Sequence, residues 1–157
     1  DFDAVSEAGR QLSVGVDQVT ESLANVLSRA SGLEKELQKT ATELALREGR
    51  ELYDRTQATE SGIRKVLVEA DLGDVMKARA NGFVSAGKAV FVATDPVKRS
   101  LLVAASADSG THAGNLVKET VTSLGGRGGG NQSLAQGSVP TPESFAELVN
   151  RIGKLLP

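Results

Sequence analysis

From Leu12 to Leu44 the residues Leu12, Val16, Val19, Leu23, Val26, Ala30, Leu33, Leu37, Thr40 and Leu44 follow one another at alternating intervals of four and three. That is the period of a coiled-coil seam, and it commits the first third of the chain to a long helix with one apolar stripe. Glu34, Lys35, Glu36, Lys39 and Glu43 fall between the seam positions and form the solvated face. Gly15 is expected to interrupt the helix, with Asp17 capping a main segment from Gln18 to Tyr53. An apolar stripe must be covered, and the chain offers no second helix of matching length. The cover is either a second copy or an antiparallel partner within a longer parent protein; self-association is favoured, and Gly32 and Thr40 weaken it to a modest dimer.

After Tyr53 the period changes. A polar stretch from Asp54 to Gly62 leads to a strand over Ile63–Ala70, a short helix from Leu72 to Ala80 ending near Asn81-Gly82, and apolar strands at Ala89–Ala93 and Leu101–Ala105. The residues between those strands, Thr94 to Ser100, suit a hairpin turn with Pro96 and two cations, Lys98 and Arg99, at its tip. Thr111 is the expected cap of a helix from His112 to Leu124. A short strand is expected at Ser133–Gly137, and Pro142 opens a last helix, Glu143–Leu156. The fold class is thus α+β: a coiled-coil dimerisation segment over 1–55, then a compact α/β domain over 56–157 with a mixed sheet and helices in the order β-α-β-β-α-β-α.

Composition removes several kinds of function. With no cysteine and one histidine, His112, the chain holds neither a thiolate site nor a multi-histidine metal site. No apolar run approaches bilayer length, and the opening DFDAVSEAGR lacks the basic and apolar regions of a signal peptide, so a cytoplasmic location is expected, with no membrane partner. The start at Asp1 suggests a piece of a longer protein. Net charge is −2 but uneven: residues 1–46 carry 4 basic and 8 acidic side chains, and 47–157 carry 14 and 12. A polyanion site belongs to the second part.

Residues 125–137 read GGRGGGNQSLAQG, and five of the six positions from Gly125 to Gly130 are glycine. Such a run tolerates positive φ and lets another backbone or a ligand approach closely. A flexible linker is the plain alternative, but helix-like residues run straight in from Leu116 and strand-like residues run straight out from Leu134. Arg127 among these glycines has a planar fork suited to phosphate, and neighbouring amides could form an anion-binding concavity. The competing account packs the glycines against a helix and pairs Arg127 with an acid such as Glu119. Candidate nucleic-acid-binding residues are therefore Arg127, Gly126, Gly128, Gly129, Gly130 and Asn131, with Lys118, Lys98, Arg99, Arg64 and Lys65 on the flanking surface. A bulky residue at Gly129 is expected to damage both fold and binding.

The strand pair from Ala89, the helix segment AGNLVKE over 113–119, the block LGGRGGG over 124–130 and LAQG over 134–137 resemble the C-terminal, DHHA-type domain shared by alanyl-tRNA synthetases, stand-alone alanyl-tRNA editing proteins and phosphoesterases of the Asp-His-His family. Glycines followed by Ala135-Gln136 resemble the alanyl-tRNA branch, whereas the phosphoesterase branch has a histidine where Asn131 stands. The resemblance implies a domain that dimerises through the preceding coiled coil and contacts the elbow of tRNA, alanine-specific tRNA by family. Many synthetases have Arg-Pro-Asp where this chain has Asn131-Gln132-Ser133, a departure that leans towards the editing proteins. Their zinc-dependent deacylase site needs histidines and a cysteine that this chain does not carry.

No catalytic residues and no cofactor are assigned. His112, Ser106 and Asp108 have the residue types of a hydrolytic triad without any implied contact, and Asp71 and Asp74 suit the start of a helix. The expected function is non-catalytic tRNA binding and dimerisation within a synthetase or aminoacyl-tRNA deacylase. The alternatives are the substrate-binding domain of an Asp-His-His phosphoesterase and a purely structural coiled-coil dimeriser.

Overall fold

The computed structural model describes residues 2–157, so Asp1 lies outside it. The chain forms two units, residues 1–40 and 41–157. A 54-residue helix, α1 (Phe2–Arg55), supplies the first unit and enters the second. Its length is ~80 Å at 1.5 Å per residue. Gly15 does not break it and Asp17 does not cap it. A helix-interior glycine costs only about 1 kcal/mol and keeps its N–H in the ladder, so cooperative propagation carries the helix through. In the first unit the seam is bare: Leu12, Val16, Val19, Leu23, Val26, Leu33 and Leu37 are each between 56% and 70% exposed.

The second unit is built on a five-stranded sheet. In chain order it contains β1 (Arg64–Glu69), α2 (Asp74–Val84), β2 (Ala89–Asp95), β3 (Ser100–Ala105), α3 (Ala113–Ser123), β4 (Arg127–Gly130), β5 (Leu134–Ser138) and α4 (Pro142–Leu155). The spatial order is β1-β2-β3-β5-β4. β1 and β2 are parallel, joined across α2, and the other neighbours are antiparallel. The mixed sheet agrees with the sequence reading, except that Arg127–Gly130 of the glycine block forms a strand. Glycine has no side chain to pack and low strand propensity, so β4 carries no pattern of its own.

Every residue of β2 and all but the first of β3 are buried, because helices cover both faces of the central strands. Val90, Val92, Leu101, Val103 and Ala135 point to one face and meet Val117 and Val121 of α3 and Leu148 and Ile152 of α4. Phe91, Ala93, Leu102 and Ala104 point to the other, where they meet Met76, Ala80 and Phe83 of α2, with Leu52 and Tyr53 of α1 packed alongside.

The final turns of α1 lock onto α2 by close backbone approach. A Cβ at Gly49 would lie 2.0 Å from the Arg79 carbonyl oxygen, and one at Gly82 would lie 2.1 Å from that of Leu46. Gly82 therefore serves the crossing, and α2 continues past its expected end to Val84, where the Ser85 amide donates to the Asn81 carbonyl. The Arg79 guanidinium pairs with Glu48, the Tyr53 hydroxyl donates to the Gly87 carbonyl at 2.9 Å, and the Tyr53 ring meets Phe83 edge-on at 5.6 Å. The cap of α3 is His112, whose Nδ1 accepts from the Asn115 amide at 3.1 Å, and not Thr111. Thr141 caps α4 ahead of Pro142.

Candidate nucleic-acid interface

The glycine block follows α3 and returns along the sheet edge. Gly125 turns the chain with φ of +79°, and the amides of Gly125 and Gly126 donate to the Thr122 and Val121 carbonyls of α3. Three glycines are then required by packing. A Cβ at Gly126 would lie 2.1 Å from the Ser138 oxygen, at Gly128 2.7 Å from the Gly137 Cα, and at Gly130 2.2 Å from the Leu134 oxygen. Gly129 differs: a Cβ there meets nothing within 4 Å, and its φ is not left-handed. The expectation that a larger residue at 129 would disturb the backbone is therefore corrected.

The amides of Gly125 and Gly126 are taken by α3 carbonyls and so do not contribute to an anion-binding concavity. The Asn131 amide donates to the Leu134 carbonyl, and the first amides of α3, those of Ala113 and Gly114, donate to the Gln132 and Asn131 carbonyls. The Asn131 side-chain oxygen accepts from the Ser133 amide, the Ser133 hydroxyl and the Leu134 amide, each at 2.9 Å. Asn131 thus holds the β4–β5 turn.

The candidate cations separate by position. Register places Arg127 beside Ser138 and Ser138 beside Ser100, so Arg127 sits at the same end of the sheet as Lys98 and Arg99 on the β2–β3 turn. Arg64 and Lys65, paired with Ala89 and Val90, lie at the opposite end, as does Asn131. Arg64 is engaged: its guanidinium stacks 4.3 Å from the Tyr53 ring centroid and donates to the Tyr53 carbonyl at 3.0 Å. Lys65 is half-buried on β1. Lys98 meets Asp71 at 3.4 Å, a solvent-exposed pair of little strength. Arg99 has φ of +50°, its Nε is buried without a hydrogen-bond partner, and its carbonyl accepts from the Val139 amide. Lys118 is exposed on α3 beside Asn115, Glu119 and Thr122. Arg127 is exposed, and among the described residues it pairs with no acid, Glu119 included.

The triad residue types have structural duties. Ser106 Oγ accepts from the Ala89 amide at 2.9 Å, and Asp108 Oδ1 accepts from the Lys88 amide at 2.7 Å. That hydrogen bond, aided by the Ser106 hydroxyl, holds the Asp108 carboxyl below its ordinary range. Register sets Ser138 beside Arg127, Gln136 beside Gly129 and Ser100 beside Ser138, a neighbourhood that follows only once β4 is known to be a strand. No helix among the described residues is long and apolar enough to cross a membrane.

The chain is 27% identical over 97% of its length to an alanine–tRNA ligase of Alkaliphilus oremlandii (strain OhILAs), of which it covers 18%. It is 33% identical over 83% of its length to the alanine–tRNA ligase of Thermosynechococcus vestitus (strain NIES-2133 / IAM M-273 / BP-1), covering 16% of that protein. The chain thus spans about a sixth of the length of these relatives. Among solved structures, the DHH domain of a member of a ribosomal-protein family superposes with a TM-score of 0.53 at 16% identity, over 79% of this chain and 32% of that one, a likeness of fold. The DHHA1 domain profile matches residues 22–156. On that match, which covers well over half of its residues, the chain belongs to the DHHA1 domain family.

Proposed function

We propose that this chain is a non-catalytic tRNA-binding and dimerisation domain that contacts the elbow of alanine tRNA and works in the cytoplasm as part of an alanyl-tRNA synthetase or editing protein. The observation that carries the reading is the match of almost the whole chain to alanine–tRNA ligases. Two features support it. Arg127 is an exposed guanidinium without an acidic partner, close in the sheet to the Lys98–Arg99 turn. The seam from Leu12 to Leu44 is a bare apolar stripe of the kind a second copy covers. Phosphate and shape contacts of this sort read the folded RNA backbone more than its base sequence. Tethered to a catalytic domain, even a weak site can raise apparent affinity ~10²-fold where geometry lets both engage.

The structural-dimeriser reading has its own support, since Arg64, Asn131 and three of the block glycines already serve the fold. Titrating the chain with folded tRNA and with an unstructured RNA of equal length separates the two. Preference for the folded RNA is expected, whereas equal binding to both removes elbow recognition and binding to neither at low salt leaves the dimeriser.

A further inference from the structure

The two faces of the sheet are not covered alike. α3 and α4 close one face through Val117, Val121, Leu148 and Ile152, and α3 reaches as far as Gly128 and Gly137. On the other face the cluster beneath α2 reaches only to Leu134 at its margin. Side chains alternate along a strand, so Gln136 and Ser138 fall on the same side as Leu134. Register sets Gly129 beside Gln136 and Arg127 beside Ser138, with Ser100 next in the row. Arg127 and Ser138 are exposed, and Gln136 is partly so. Among the described residues no side-chain hydrogen bond engages Arg127 or Gln136, and β4 and β5 place no acidic residue on this face. Its formal charge is that of Arg127, which complements a polyanion.

Gly129 adds the shape. The fold does not need a glycine there, yet its lack of a side chain leaves flat, open backbone between Arg127 and Gln136. A primary amide offers a donor and an acceptor together and can match the edge of a base, while an arginine fork suits phosphate. Resting on the tRNA-binding reading above, we propose that the uncovered face of β4 and β5 is where the RNA is held: an unstacked base of the folded RNA lies over Gly129 with its edge against Gln136, and the neighbouring phosphate meets Arg127. Protein recognition of RNA commonly uses such splayed loop bases.

The test compares the full chain with its Gly129→Leu and Gln136→Ala variants, measuring both fluorescence-anisotropy binding to folded tRNA and thermal unfolding. Each variant is expected to weaken binding by about tenfold, the loss carried by one good base contact, at an unchanged melting temperature. If Gly129→Leu melts early, Gln136→Ala decides, because the fold makes no use of that amide. Wild-type binding with both variants within about twofold of it overturns this site and leaves the tRNA reading standing, since a base contact of the expected size exceeds that margin. Absence of wild-type binding at low salt overturns both.

Discussion

Arg64 and Arg127 both belong to edge strands, and their surroundings give them opposite roles. Arg64 is stacked on Tyr53 and bonded to its carbonyl, so Arg64→Ala should lower stability by about 1 kcal/mol, read as a fall in the thermal midpoint. Arg127 has no such partner. Arg127→Ala should weaken binding to folded tRNA and leave the midpoint in place; equal binding by the variant would remove Arg127 from the interface. The glycines divide in the same way. Gly128→Ala drives a methyl into the Gly137 backbone and the Val117 side chain and should cost roughly 1–3 kcal/mol, whereas Gly129→Ala meets open space. Asp108 contributes a pH dependence. Its folded-state pKa is depressed, so its contribution is complete above the ordinary value of 3.8 and is lost as pH falls through the depressed value. The Asp108→Asn variant should therefore lose less of its thermal midpoint than the unmodified chain as pH falls from above 3.8 through the depressed value.

At the scale of elements, α1 runs through both units. In the first unit it exposes a seam, and in the second Gly49 and Tyr53 meet α2. Introducing Glu at Leu23 or Leu37 should turn a dimer into a monomer with the sheet domain still folded, because a buried unpaired charge costs several kcal/mol. Sedimentation velocity distinguishes the states, and a monomeric unmodified chain at high concentration would send the stripe to a different partner. Gly49→Ala should loosen the α1–α2 crossing by ~2 kcal/mol or more, since backbone and not a flexible side chain occupies the space.

For the whole molecule, net charge is negative and the candidate cations at one end of the sheet are few: Arg127, Lys98 and Arg99. If these three meet phosphates, log affinity should fall against log salt with a slope of about −2 to −3. A flat salt response would exclude phosphate contacts as the source of binding. The sequence itself determined the long helix, the strand pair around Pro96, the final helix behind Pro142 and the family, because apolar period, turn residues and local motifs are written in consecutive positions. Tertiary structure alone decided three matters. It made an edge strand of Arg127–Gly130, since pairing with β5 supplies what glycines cannot specify. It assigned Gly49 and Gly82 to a helix crossing and Arg64 and Asn131 to the scaffold, through partners distant in the chain or made by a turn. It also left the face of Gly129 and Gln136 uncovered, because where a helix stops over a sheet depends on packing between elements and not on any local run of residues.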